Sequence, residues 1–200
     1  MKRRAHAFPT IMFSLLLIAT VGLVVREKKE ITPAQEKERT RAIVNAITPA
    51  YDAVISFYGA STMSLPEPDD PEYKNAIMLE DTLFLPVLNE NLDTMAKLRD
   101  ATEKAFTKDL ANDLFYTRLI PNCIQEVEGR LYATLYDFGG WPYKPLSGDD
   151  ISVVSFSDER IEYTTILVDD MYPDEKIIQT VILVYQNGNW KIAGITSESQ

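Results

Sequence analysis

Histidine and cysteine, two side chains that often act as general base and nucleophile, are scarce in this chain. The only histidine is His6, near the N-terminus, and the only cysteine is Cys123. A histidine-assisted nucleophile or a typical zinc site needs an imidazole beside its partners, so neither is expected in the body of the protein. Cys123 follows a predicted helix end, which favours a small buried residue or a turn residue, and a lone cysteine excludes an intramolecular disulfide.

Carboxylates are the remaining route to chemistry. Asp169-Asp170 and Asp174-Glu175 bring four acids into one predicted loop, but their spacing does not fit the alternate ligands of an EF-hand. A solvated hairpin tip explains the same residues without an ion, and we favour it over a calcium site. A pair of acids for glycoside hydrolysis need not be close in sequence, yet nothing marks out such a pair. The sequence therefore predicts a non-enzyme without metal or cofactor.

One loop has the composition of a partner-binding surface. Asp137, Phe138, Gly139, Gly140 and Trp141 combine an acid, two aromatic rings and two flexible glycines. Aromatic side chains on loops bury a large area at low entropic cost, which suits a contact with another protein. The alternative is that the two rings fold back over the end of a sheet. We take these five residues as the candidate partner-binding site.

The helical signals lie in the first two thirds of the chain. Thr32-Pro33-Ala34-Gln35 has the pattern of a capping box, and an apolar face follows it up to Tyr58. Pro49 interrupts this face, so a kink or short break is expected there. Asn91-Leu92-Asp93-Thr94 is predicted to cap a second helix and Thr107 a third, with Pro121 marking the end of the third.

The strand signals dominate the last third. One or two short strands are expected before Pro86, and a hairpin should turn at Glu128-Gly129. Alternating strands are predicted over 151–156, 160–168 and 177–185, and the last hairpin should turn at Asn187-Gly188. This order predicts an α+β fold, with helices packed on one face of a curved antiparallel sheet of cystatin-like or cone-like form.

An apolar segment precedes all of these elements. Residues 8–25 contain no charged side chain and are long enough to cross a bilayer as a helix. Lys2, Arg3 and Arg4 precede the segment, so the N-terminus is expected in the cytoplasm and the rest of the chain outside it. We interpret the segment as an uncleaved anchor; a cleaved signal peptide is the alternative, and its product would be secreted.

The predicted anchor divides the chain into four regions. Residues 1–7 are assigned to the cytoplasm, 8–25 to the membrane, 26–40 to a polar stalk and 41–200 to one extracytoplasmic domain. From residue 26 onward the chain has 30 acidic and 17 basic residues, a formal charge of −13. Such a surface repels nucleic acid, which excludes nucleic-acid binding. The lack of disulfides favours a bacterial cell surface.

Several short motifs follow one another in a familiar order. Leu92–Leu98, the Ala105-Phe106-Thr107 junction, Glu128-Gly129-Arg130-Leu131-Tyr132 and Asp137-x-Gly139-Gly140 resemble the IseA family of bacterial DL-endopeptidase inhibitors. The resemblance covers about residues 73–141. It implies an exported Gram-positive protein without catalytic residues, and it matches this chain at Asp137, Gly139 and Gly140. Phe138 between the acid and the glycines, and the uncleaved anchor, depart from that family.

The resemblance gives a specific functional expectation. The protein would block the active cleft of a peptidoglycan DL-endopeptidase and so restrain autolysis and cell separation. An acidic inhibitor would be steered toward a basic peptidase. The alternative is a non-catalytic ligand-binding or scaffold domain of an envelope assembly, because the hairpin over 181–192 is similar to the last hairpin of nuclear-transport-factor-like and cystatin-like domains. A deep apolar pocket inside the sheet would favour that alternative.

Overall fold

The computed structural model describes residues 31–59, 65–134, 146, 150–168 and 176–199. The helices are α1 (Pro33–Gly59), α2 (Met95–Ala105), α3 (Lys108–Ala111) and α4 (Ile120–Cys123). The strands are β1 (Ile77–Leu79), β2 (Thr82–Pro86), β3 (Ile124–Val127), β4 (Arg130–Thr134), β5 (Ile151–Phe156), β6 (Arg160–Val168), β7 (Lys176–Gln186) and β8 (Asn189–Ser199). Pro71–Asn75 forms a 3-10 turn and Asn112–Tyr116 a π-helical turn.

The chain divides into two compact units, Met1–Ile31 and Thr32–Gln200. Every described residue except Ile31 belongs to the second unit. The described helices include none that is long and apolar enough to span a membrane. The anchor predicted over residues 8–25 lies outside the described residues, so it stays a prediction.

Helix α1 begins as its sequence predicts. The backbone N–H of Thr32 donates to Gln35 Oε1 at 2.9 Å, and the N–H of Gln35 donates to Thr32 Oγ1 at 3.4 Å, which closes the capping box. The helix then runs through Pro49 as one element, so of the kink or short break expected there the break is wrong, and the kink stays a prediction. The first turns of α1 include residues 33–40 of the predicted stalk, and Thr40 among them is buried.

The two threonine caps of the middle helices are confirmed. Thr94 Oγ1 accepts from the N–H of Lys97 at 3.2 Å, and Thr107 Oγ1 accepts from the N–H of Leu110 at 3.4 Å. The prediction for Pro121 is wrong, because this proline lies in the first turn of α4 and does not end a helix. Proline is tolerated there since the N–H of a first-turn residue has no helical partner.

The first sheet has the strand order β1-β2-β4-β3, with every pair antiparallel. Glu80 and Asp81 turn between β1 and β2, and Glu128 and Gly129 turn between β3 and β4. All four have positive φ angles between 46° and 77°. The predicted hairpin at Glu128-Gly129 is therefore confirmed.

The second sheet has the order β5-β6-β7-β8 and is also antiparallel throughout. Its β7–β8 hairpin turns at Asn187 and Gly188, with φ angles of 53° and 83°, as the sequence predicts. The register shifts between Val153 and Ser155 and between Ile182 and Leu183. Such bulges bend a sheet and increase its twist.

The hydrophobic core joins helix α1 to the inner face of the second sheet. That face is fully buried along its centre, at Ile161, Tyr163, Val181, Leu183 and Ile192, each 0% exposed. Contacts of α1 with β5 and β8, and of α2 and α3 with β8, cover it. The N–H of Thr107 also donates to Ile192 O at 2.8 Å, which fixes the α2–α3 junction to strand β8.

An aromatic cluster fills the centre of this core. Tyr58 stacks on Phe115 with ring centroids 4.2 Å apart. Phe106 contacts Phe115 edge to face, with centroids 5.2 Å apart, and its ring is tilted against that of Tyr51, with centroids 5.7 Å apart. These contacts tie α1 to the α2–α3 junction. The predicted α+β class is confirmed, but the strands form two four-stranded sheets where the sequence suggested one.

Candidate functional site

The predicted partner-binding loop lies outside the described residues. Asp137, Phe138, Gly139, Gly140 and Trp141 follow the end of β4 in the sequence and precede β5. The acidic run 169–175 also lies outside the described residues, between the paired ends of β6 and β7. Both assignments stay predictions.

The described residues contain no group of three or more histidine, cysteine, aspartate or glutamate side chains placed to hold a metal ion. Cys123 is buried, as predicted, and its burial raises the pKa of the thiol, which keeps it protonated and unreactive at neutral pH. The pKa of the Glu72 carboxyl is shifted in the other direction, downward. Hydrogen bonds from Asn75 and from Arg130, both at 2.9 Å, lower the pKa of its carboxyl, so it is not a proton donor near neutrality.

A groove of about 860 Å³ lies where α1, α2 and the β7–β8 hairpin meet. Its floor is one face of α1, formed by three alanines and two isoleucines: Ala42, Ala46, Ala50, Ile43 and Ile47. The alanines are four residues apart, so their methyl groups line up along the helix. A row of methyl groups leaves space above the helix and keeps the floor apolar over about 12 Å of helix axis.

The walls of this groove are charged. Helix α2 contributes Asp100, Glu103 and Lys104, and Arg39 of α1 and Lys191 of β8 add two further cations. Lys104 pairs with Asp100 at 2.6 Å. Both of these side chains are about two thirds exposed, so the pair is weak and easily exchanged.

The other charges of the groove differ in how they are paired. Arg39 donates to Asp158 at 3.1 Å, and its guanidinium lies 5.5 Å from the ring centre of Phe156. Neither Glu103 nor Lys191 forms an ion pair with another described residue. Glu103 receives a long hydrogen bond of 3.5 Å from the Tyr116 hydroxyl. The groove thus presents a carboxylate and an ammonium group that have no ion-pair partner among the described residues.

The hairpin forms the remaining wall through Gly188, Asn189 and Trp190. Trp190 is half-buried against the core, and its ring centroid lies 5.6 Å from that of Tyr185. Gly188, in the turn before the tryptophan, has a positive φ, and a Cβ there would meet no atom within 4 Å. The groove is therefore open at the tip of the turn, while its indole wall is held in place by packing.

A row of buried hydroxyls crosses the inner face of the second sheet. Thr165 pairs with Gln179, and Gln179 with Ser197, while Tyr163 lies one inward position along β6. The hydroxyl oxygens of Tyr163, Thr165 and Ser197 have no hydrogen-bond partner among the described residues. Burial raises the pKa of the Tyr163 phenol, so it remains protonated. We interpret the row as a structural feature of the second sheet.

Sequence reasoning did not identify the groove. The apolar face that it followed along α1 runs through Ile43, Ile47 and Tyr51, all of which contribute to the core. The alanines four residues apart were the available signal, but small residues at helical spacing are equally common in buried positions. Most of the charged side chains in the walls come from α2 and β8. These elements are distant from α1 in the sequence, and no local sequence pattern predicts that they pack beside it.

Comparison of the chain with models of protein families, with curated proteins and with solved structures found no match.

Proposed function

We propose that this protein is a membrane-anchored, extracytoplasmic inhibitor of peptidoglycan DL-endopeptidases, which blocks the peptidase active cleft and restrains autolysis and cell separation. The proposal makes the protein a non-enzyme whose partner is another protein. Its predicted contact residues are Asp137, Phe138, Gly139, Gly140 and Trp141. The location outside the cytoplasm and the anchor at residues 8–25 are parts of the same proposal.

One observation carries the proposal: the inner face of the second sheet is filled by the protein itself. Its central side chains are fully buried under α1 and the α2–α3 junction, which leaves no room for an internal ligand at that part of the sheet. A filled core favours a protein that acts through its surface over one that encloses a small molecule. The resemblance to the IseA family then supplies the class of partner.

A steric inhibitor needs rigidity more than chemistry. The two sheets and the stacked aromatic core give the described part a stiff frame. Because this frame is already ordered, binding a partner costs it little conformational entropy. The formal charge of −13 from residue 26 onward would accelerate association with a basic peptidase and make it dependent on ionic strength.

The test is an inhibition assay with the full-length chain in a mild detergent. Purified DL-endopeptidases are given peptidoglycan, and release of the cleaved stem peptides is followed as the chain is added. We expect saturable inhibition that Trp141→Ala weakens and that Met78→Ala, an exposed change on the first sheet, leaves intact. Undiminished cleavage across a panel of such peptidases would rule the inhibitor out.

The groove favours a second candidate function, a ligand-binding or scaffold domain of an envelope assembly. This candidate keeps the cone-like or cystatin-like sheet suggested by the last hairpin. It differs from the first in using Trp190 and the charged walls instead of the loop at 137–141. Loss of binding in a Trp190→Ala variant, with peptidase inhibition absent throughout, would favour this candidate.

A further inference from the structure

We propose that the groove between α1, α2 and the β7–β8 hairpin binds a short extended peptide that carries both a free amine and a free carboxylate, with small aliphatic side chains between them. The inference goes beyond peptidase inhibition and does not depend on it. It rests on the shape of the groove floor and on the signs and positions of the charges in its walls.

The floor sets the length and the side-chain size of the ligand. Ala42 and Ala50 mark an apolar trough about 12 Å long, which matches about three to four residues of extended chain. Methyl groups leave space directly above the helix, and Ile43 and Ile47 add apolar surface beside them. A peptide with alanine-sized side chains can lie close to such a floor and bury its apolar atoms.

The walls set the charge of the ligand. Glu103 on α2 and Lys191 on β8 belong to different walls, and neither is neutralised by an ion pair within the described part of the chain. An amine of the ligand can pair with Glu103, and a carboxylate with Lys191. Arg39 can supply a second contact to the carboxylate, since its exposed pair with Asp158 costs little to exchange.

The same charges argue against the other plausible occupants. Five of the lining residues are charged, whereas the groove offers one indole and one side-chain amide, Trp190 and Asn189. An uncharged glycan would leave the charged groups without partners. A wholly acidic peptide would face Asp100 and Glu103 and would be repelled by the negative charge of the domain; a wholly basic one would face the cations.

The proposal can be tested with the fluorescence of Trp190. The chain has two tryptophans, so a Trp141→Phe variant of the full-length protein in mild detergent reports on the groove alone. The probe is the synthetic peptide tetra-alanine with a free amine at one end and a free carboxylate at the other. The matched probes are the same peptide with its amine acetylated and its carboxylate amidated, and an uncharged chitooligosaccharide.

We expect saturable binding of the charged peptide, weakened by added salt. Both uncharged probes should bind more weakly by about tenfold or more, because neither can form the ion pairs with Glu103 and Lys191. Glu103→Gln and Lys191→Gln should each weaken binding of the charged peptide by about twofold to fivefold. Lys176→Gln, an exposed change at the start of β7, is the charge control and should leave binding unchanged.

A steric pair of variants locates the site. Ala46→Phe places a ring on the exposed floor and should weaken binding by about tenfold or more, whereas Ala34→Phe makes the same change in the exposed first turn of α1, outside the groove. Circular dichroism checks that both variants fold. Absence of peptide binding, equal binding of the neutralised peptide, or equal weakening by Ala34→Phe and Ala46→Phe would each overturn the proposal. Peptidase inhibition, measured separately, is unaffected by any of these results.

Discussion

Replacing one buried threonine should stabilise the protein. Thr165 on β6 is 1% exposed, and its Oγ1 has no hydrogen-bond partner among the described residues. A buried hydroxyl without a partner loses its hydration at a cost of about 1–3 kcal/mol. Valine has nearly the same volume and suits a strand at least as well. We therefore expect Thr165→Val to raise the free energy of unfolding by about 1–2 kcal/mol.

Thr102 provides the matched control, because the same substitution should have the opposite sign there. Thr102 on α2 is 0% exposed, but its hydroxyl donates to Leu98 O at 2.7 Å and lies 3.4 Å from the Tyr58 hydroxyl. Thr102→Val removes both interactions and leaves the phenol of Tyr58 buried without this neighbour. We expect the free energy of unfolding to fall by about 1–3 kcal/mol.

Denaturant unfolding and thermal unfolding, each followed by circular dichroism, measure both changes. Each kcal/mol corresponds to a Tm shift of about 2–4 °C for a domain of this size, so the two variants should lie on opposite sides of the parent protein. Their m-values should be unchanged, since neither substitution alters the surface exposed on unfolding. If Thr165→Val destabilised the protein as Thr102→Val does, the Thr165 hydroxyl would have a partner and our interpretation of the row would be wrong.

Three further predictions concern a phenol, a proline and a thiol. Burial raises the pKa of Tyr116 from 10.0 to about 12. The stability that its protonated form contributes is therefore complete below pH 10 and is lost as the pH rises toward 12. Tyrosinate absorbance should show this phenol ionising at a higher pH in the folded protein than a free tyrosine, and a normal titration in the folded state would contradict the prediction. Pro49→Ala should raise the free energy of unfolding by about 1–3 kcal/mol, because an interior proline removes a helical hydrogen bond; an unchanged denaturation midpoint would mean that α1 has already adapted to the proline. Cys123 should react with iodoacetamide far more slowly in the folded protein than after denaturation, given its burial and raised pKa, and equal rates would refute its assigned position.

The features that the sequence predicted correctly are those encoded by a few neighbouring residues. The threonine caps at Thr94 and Thr107 and the turn at Asn187-Gly188 depend on short-range hydrogen bonds and backbone conformations, so their patterns suffice. The short break expected at Pro49 and the helix end expected at Pro121 failed for different reasons. The tertiary packing of α1 holds its helix together through Pro49, and a proline can begin a helix as well as follow one.

What the sequence could not supply is the arrangement of elements that are distant in the chain. The division of the strands between two sheets depends on the pairing of β2 with β4, which no local pattern specifies. The groove arises in the same way, because Glu103 and Lys191 are brought to it by two different elements. The predicted partner loop at 137–141 is a statement about composition, and its test is biochemical.

Our central proposal is that the protein acts by fitting against a cell-wall peptidase without breaking bonds itself. The most direct measurement is stem-peptide release from peptidoglycan by a purified DL-endopeptidase titrated with the full-length chain. We predict a saturable fall in release while the chain alone releases nothing and is recovered intact. Full release at excess chain, or release of stem peptides by the chain alone, would contradict the account.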